Sequence, residues 1–297
     1  MIDINIESNP NNVTIVGILN ELDVVEGTTS DGRGYVRATA KIRADQEVNG
    51  EVIENEIPVK MFSMRNKKDG SPNQVYDRIV GYKEAFISAG AAEDISQASQ
   101  VSITAKVEEN SYYDVKSKEI RTGYQFTGSF LNNKRKDDDE GAIFEIQGVV
   151  GKMKEEYDRD GNETGRLIIS FIVIGYGGKA NVIELVAEGS KKEFISSHWE
   201  EGDTVIATGK VVSSYKTIVT YEEQGFGDPI KRTKTVGRRE LLISGGSPSG
   251  ASEEFSYSSD QIKLALQKRN SDLEEMKEKT QNKATAKAKT SGSFLDF

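Results

Sequence analysis

Apolar and polar residues alternate over short runs through most of the first 246 positions, the period-two signature of half-buried β-strands. The pattern is written twice. Val13-Thr-Ile-Val-Gly17-Ile18-Leu19 is matched by Phe144-Glu-Ile-Gln-Gly148-Val149-Val150, each an alternating run that reaches a glycine and two aliphatics. Gly34–Ile42 and Gly165–Val173 match at the same separation, 131 residues. The copies continue more loosely through Asn55–Val59 and Asn181–Leu185, Lys83–Ser88 and Lys192–Ser196, and Val101–Val107 and Val205–Val211. They close on Tyr124–Gly128 and Arg239–Ile243.

Three strands, a short helix and two strands is the order of the OB-fold, a five-stranded Greek-key barrel. The pattern predicts a mainly all-β chain of two tandem OB-fold barrels, each with a short helix, followed by a C-terminal helix and a flexible tail. Gly17 and Gly148 fall where strand one of a small barrel must bend, and a residue without Cβ relieves the crowding there. The predicted boundaries are a first barrel over 1–131, a charged linker over 132–141, a second barrel over 142–246, and a C-terminal region over 247–297. The linker, Asn132 to Gly141, is wholly polar and is expected to be mobile. In the last region a Gly/Ser-rich linker precedes a short helix capped by Ser259, with Ile262, Leu266, Leu273 and Met276 near one face. Residues 281–293 are low in apolar content and are expected to be disordered.

Composition narrows the chemistry. With no cysteine, thiolate metal sites, disulfides and cysteine nucleophiles are excluded. One histidine, His198, leaves no basis for a His-based metal centre or a Ser-His-Asp triad. The carboxylates of 137–140 lie in a flexible run without converging spacing, and Gly175-Tyr-Gly177-Gly178 lacks the lysine and Ser/Thr of a phosphate loop. No cofactor, no metal and no catalytic set is expected, so the chain reads as a non-enzyme. It has no signal peptide and no apolar run of bilayer length, which predicts a cytoplasmic protein without membrane contact. Trp199, beside His198, is expected to plug the bottom of the second barrel.

The net charge of −9 requires any polyanion site to be a local basic face. Strand two of the first copy supplies one. Arg33, Tyr35, Arg37, Thr39, Lys41 and Arg43 alternate with Val36, Ala38, Ala40 and Ile42, and no acid occurs from Arg33 to Ala44. Cations and a ring at regular spacing suit a phosphate backbone whose bases stack. In an OB barrel, strands two and three and the loops after strands one and four form the ligand face. Lys60 and Phe62 extend that face, although Glu54 and Glu56 share the Lys60 side. Tyr112, Tyr113, Lys116 and Arg121 offer a second wall, or one tyrosine of the pair packs in the core. The second copy lacks a basic strand two. Its cations gather late, at Lys216, Lys231, Arg232 and Lys234, with Tyr215, Tyr221 and Phe226 nearby, either an arm over a strand or a solvated hairpin. Trailing the polar tether, Phe294, Asp296 and the terminal Phe297 make a hydrophobic tip that a basic-rimmed pocket on a partner could clamp.

Tandem OB barrels, no catalytic set and a tail ending in Asp296-Phe297 resemble the single-stranded DNA-binding proteins. The two-barrel layout and acidic charge are more similar to the bacteriophage form than to the cellular one-barrel form. Bacterial members end in an acidic tail with a proline. Here Lys283, Lys287 and Lys289 lie upstream and no proline is present. The resemblance implies a protein that coats single-stranded DNA without strong sequence preference during replication, recombination or repair. It also implies recruitment of replication or recombination proteins through the tip. The alternative is a structural or adaptor protein, such as a virion component, that uses its barrels for protein contacts.

Overall fold

The computed structural model describes residues 10–222, 226, 229–248 and 256–291. Strands β1 (Asn11–Thr28), β2 (Gly34–Val48) and β3 (Glu51–Met64) are followed by helices α1 (Gln74–Val80) and α2 (Tyr82–Ala85), then β4 (Gln100–Asp114) and β5 (Glu119–Asn133). The second half repeats this with β6 (Gly141–Tyr157), β7 (Glu163–Ile174), β8 (Ala180–Glu188), helix α3 (Ser190–His198), β9 (Thr204–Glu222) and β10 (Ile230–Gly246). A final helix, α4, spans Ser259–Ser291.

In the first half β1 pairs with β2 and β4, β2 with β3, β4 with β5, and β3 with β5 in parallel, which closes a five-stranded barrel. The second half closes identically through β6–β7, β7–β8, β8–β10, β10–β9 and β9–β6. The chain is thus two OB-type barrels. They are joined edge to edge, because Asn11–Val16 of β1 also pairs antiparallel with Gly141–Ile146 of β6.

The paired glycines explain how each barrel closes. A Cβ on Gly17 would stand 2.0 Å from the Arg43 carbonyl oxygen, and one on Gly148 would stand 2.5 Å from the Phe171 ring. Both strands are irregular just beyond, after Leu19 and after Val150. Trp199 is buried in the main core and donates to the Ser247 carbonyl at 3.1 Å. His198 Nδ1 lies 2.8 Å from the Phe194 carbonyl, and its ring stacks on Phe194.

Strand β7 is largely apolar on both faces because its inner face lines the barrel and both ends of its outer face are covered. Leu167, Ile169, Phe171 and Val173 line the barrel. On the outside, Ile168 joins Val186, Val212 and Leu242 beneath Val48 and Ile53, from the tip of the β2–β3 hairpin. Further along, Ile172 and Ile174 join Val149 and Ala180 beneath Tyr257 and the Ile262, Ala265 and Leu266 side of α4. Polar bonds fix the seam. Gln46 donates to the Val211 carbonyl at 2.6 Å and accepts from the Ala142 N–H, and Asn55 accepts from the Ser213 N–H at 2.7 Å.

The C-terminal region departs from expectation in two respects. The cap of α4 is Ser258, whose hydroxyl accepts from the Gln261 N–H while the Gln261 side chain accepts from the Ser258 N–H, a reciprocal capping box. The helix is long, running through 281–291, where a disordered segment was expected. Its sequence there is rich in Ala and Lys, which are strong helix formers, and low apolar content reports only the lack of a core.

Candidate functional site

The outer face of β2 and β3 is set by their register. Arg37 stands opposite Phe62, Tyr35 opposite Met64, Thr39 opposite Lys60 and Lys41 opposite Pro58. Their neighbours Val36, Ala38, Ala40, Val59 and Met61 line the barrel, so alternation forces these side chains outward. Tyr35 and Phe62 lie diagonally across the pair, with ring centres 5.7 Å apart and planes inclined by 30°. Phe62 is 61% exposed. Tyr35 is half-buried because it lies across Gly27, its opposite number on β1, where a Cβ would come within 2.6 Å of the ring. The glycine leaves the tyrosine room to lie flat, with Phe62 beside it and Arg37 next to both.

The cations of this face divide into two sets. The absence of acids between Arg33 and Ala44 does not leave the strand uncompensated, because carboxylates arrive from elsewhere. Arg33 pairs with Asp31 of the β1–β2 turn at 2.7 Å. Lys41 pairs with Glu21 of β1 at 2.6 Å, and that carboxylate raises the ammonium above its ordinary value. Arg43 pairs with Asp45 at 2.8 Å and Glu54 of β3 at 3.6 Å. Arg37 has no acidic partner among the described residues. Lys60 donates to the neutral Gln125 of β5 at 2.9 Å. Beyond Phe62 the surface dips into a shallow cleft of about 360 Å³ over β5 and β4, whose lining includes Lys60, Phe62, Thr104, Lys106 and Thr127, with one carboxylate, Glu108. Lys106 was missed by sequence reasoning. Its strand looks like any alternating strand, and only the β4–β5 pairing places it opposite Thr127, one strand away from Lys60.

The other expected residues lie elsewhere. Tyr113 is not available, being buried, with its hydroxyl accepting from Gln281 of α4 at 2.9 Å. Tyr112 is exposed and faces Arg121 across the β4–β5 hairpin, past the point where β3 leaves β5. Arg121 lies within 3.9 Å of both Asp114 and Glu119, and Lys116 is exposed in the turn between them. These residues do not join the Tyr35–Phe62 face.

The late cations sit on the distal β9–β10 hairpin. Tyr221 is opposite Lys231, Arg232 opposite Thr220, and Lys234 opposite position 218. Tyr221, Lys231, Arg232 and Lys234 are exposed, and Arg232 pairs with Glu222 at 2.9 Å. The backbone of Lys216 pairs with Val236, and its side chain lies outside the described residues. The tip residues Phe294, Asp296 and Phe297 also lie outside the described residues. Among the described residues there is no cluster of metal-ligating side chains, and no helix is long and apolar enough to cross a membrane.

A family model described as YorF matches residues 9–279. No curated protein matches the chain. Among solved structures, the wild-type single-stranded DNA binding protein from Thermus aquaticus is 11% identical, with 81% of this chain and 93% of that chain covered and a TM-score of 0.49. A deletion mutant of the same protein is 10% identical, with 81% and 94% covered and a TM-score of 0.49. The small single-stranded DNA-binding protein from Streptomyces coelicolor is 11% identical, with 42% and 95% covered and a TM-score of 0.26.

Proposed function

We propose that this chain, which belongs to the YorF family, is a non-enzymatic protein that binds single-stranded DNA across the β2–β3 face of its first barrel. The observation that carries the reading is the Tyr35–Phe62 pair beside Arg37, which has no acidic partner among the described residues, on the two strands from which OB barrels present a ligand surface. Two adjacent rings at an exposed sheet surface offer a platform for unpaired bases, each stacked base contributing about 1–3 kcal/mol with little dependence on sequence. Arg37, Lys60 and Lys106 supply charge for the phosphates. The ion-paired Arg33, Lys41 and Arg43 are solvent-accessible, and exposed pairs contribute only about 0–1 kcal/mol, so a phosphate can compete for those cations.

A role in replication, recombination or repair, with partners recruited through Phe294, Asp296 and Phe297, completes the reading and rests on the sequence of the tip. Deleting residues 291–297 is expected to leave DNA affinity unchanged or raised while abolishing recruitment.

The direct test is fluorescence anisotropy with labelled oligo-dT and a duplex of equal length at two salt concentrations. The expected result is tighter binding to the single strand, weakening as salt rises through counterion release. Equal affinity for both forms, or none for either, would refute the reading.

A further inference from the structure

The second barrel does not present the surface its fold would ordinarily use. The outer faces of β7 and β8, the counterparts of β2 and β3, lie under the β2–β3 hairpin tip at Ile168 and Val186. They lie under α4 at Ile172, Ile174 and Ala180. Opening either end would expose an apolar cluster, and the open middle carries the exposed Glu184 paired with Lys154, so a strand finds no continuous path along that face.

The β9–β10 hairpin of the same barrel is differently placed. Its base docks on the first barrel. Ser213 donates its hydroxyl to the Glu56 carbonyl at 2.8 Å, and Arg239 donates to the Tyr124 carbonyl at 2.7 Å while lying 4.7 Å over the Tyr124 ring. Ser213 and Arg239 are opposite each other in the ladder. By alternation Tyr215, Val219 and Tyr221 share their side of β9, and Lys231 shares it on β10, whereas Arg232 and Lys234 take the other side. The side that meets the first barrel therefore carries the rings. Tyr215 is 68% exposed and Tyr221 is 67% exposed. Tyr215 lies over Gly237, its opposite number, where a Cβ would come within 3.1 Å of the ring. That is the arrangement of Tyr35 over Gly27, repeated on the other barrel. The Ser213 bond to Glu56, which stands opposite Arg43, brings the base of the hairpin to the Lys41–Arg43 end of the β2–β3 face, away from Tyr35.

We infer that the chain holds one DNA strand on a single composite track, in which the second barrel gives up its own sheet face and lends its β9–β10 hairpin to the first. The track runs from Phe62, Tyr35 and Arg37 past Lys41 to Tyr215, Tyr221 and Lys231. This rests on the reading of the β2–β3 face as a single-strand site. It assigns the hairpin tyrosines to the far end of the strand, so they matter only when the strand is long enough to reach them.

The test uses the full chain and labelled oligo-dT of two lengths, about 6 and about 25 nucleotides, the first near the lower end of the range a single OB fold covers and the second beyond its upper end. Tyr215→Ala/Tyr221→Ala changes two exposed side chains and leaves both barrel cores intact. It is expected to weaken binding of the long oligomer at least about tenfold while changing the short one by less than about twofold, since each lost stack acts only where a base reaches it. Phe62→Ala is expected to weaken both lengths. Titration to saturation with the short oligomer is expected to give one strand per chain. Wild-type behaviour of the hairpin variant at both lengths, or two short strands per chain, would overturn the composite track and leave the β2–β3 site standing. A wild-type chain inert toward both lengths would overturn the site and the track together.

Discussion

Glu109 of β4 and Arg269 of α4 meet in a two-pronged ion pair, at 2.5 and 2.9 Å, with 7% and 15% of their side chains exposed. The same carboxylate accepts from the Val182 N–H of β8 at 2.8 Å and from the Ser111 hydroxyl. One residue of the first barrel thereby holds both the second barrel and the C-terminal helix. Burial alone would push the Glu109 carboxyl up. The bonds from Arg269, Ser111 and Val182 outweigh it and leave the group below its ordinary value.

A carboxyl depressed on folding contributes stability above its unfolded value and loses that contribution as pH falls through its folded value. Glu109→Gln should therefore lower the melting temperature at neutral pH, and its further decline on acidification should be shallower than that of the wild type. Arg269→Ala leaves the carboxylate buried without its cation and should cost about 3 kcal/mol. Thermal unfolding followed by circular dichroism at several pH values checks both. Parallel pH profiles for wild type and Glu109→Gln would show that the pair does not govern acid stability.

Tyr35→Ala combined with Arg37→Ala removes half of the ring platform and the cation that has no acidic partner among the described residues. Oligo-dT affinity should fall at least about tenfold, the equivalent of about 1.4 kcal/mol. Unchanged anisotropy titrations would take the β2–β3 face out of the site.

Arg37 and Lys41 share a strand face and differ in compensation. A phosphate contact by Arg37 should account for about one unit of the slope of log affinity against log salt, which Arg37→Ala removes. Lys41→Ala should change the slope less, because Glu21 already neutralises the ammonium in the free protein. Equal slope changes would mean that Lys41 abandons Glu21 when DNA binds.

Two glycines should respond oppositely to one added methyl group. Gly17→Ala sets Cβ against the Arg43 backbone carbonyl, which the β1–β2 ladder holds in place, so the first barrel should lose several kcal/mol of stability. Gly27→Ala meets first the Tyr35 side chain, at the exposed end of the strand. It should keep the fold and weaken DNA binding by displacing the ring. A well-folded Gly17→Ala, or a Gly27→Ala variant with wild-type affinity, would contradict this account.

The chain by itself determined what is local or periodic. Alternation gave the strands, the 131-residue repeat gave two barrels of one topology, and Gly17 and Gly148 marked the bends, because each signal depends on a residue's own conformational needs and immediate neighbours. Alternation also placed Tyr35, Arg37, Lys41 and Phe62 outward. It could not show which charges are compensated, since Glu21 and Glu54 reach Lys41 and Arg43 only through strand pairing. Nor could it show that Tyr113 is covered by Gln281 rather than left open like Tyr112. The apolar run of β7 was legible as a strand with no basic face. Only the packing of Val48, Ile53 and α4 against it showed that both ends of this face are covered. Contacts between residues far apart along the chain are decided by how the barrels dock, and no pattern along one strand encodes what another strand brings to its side.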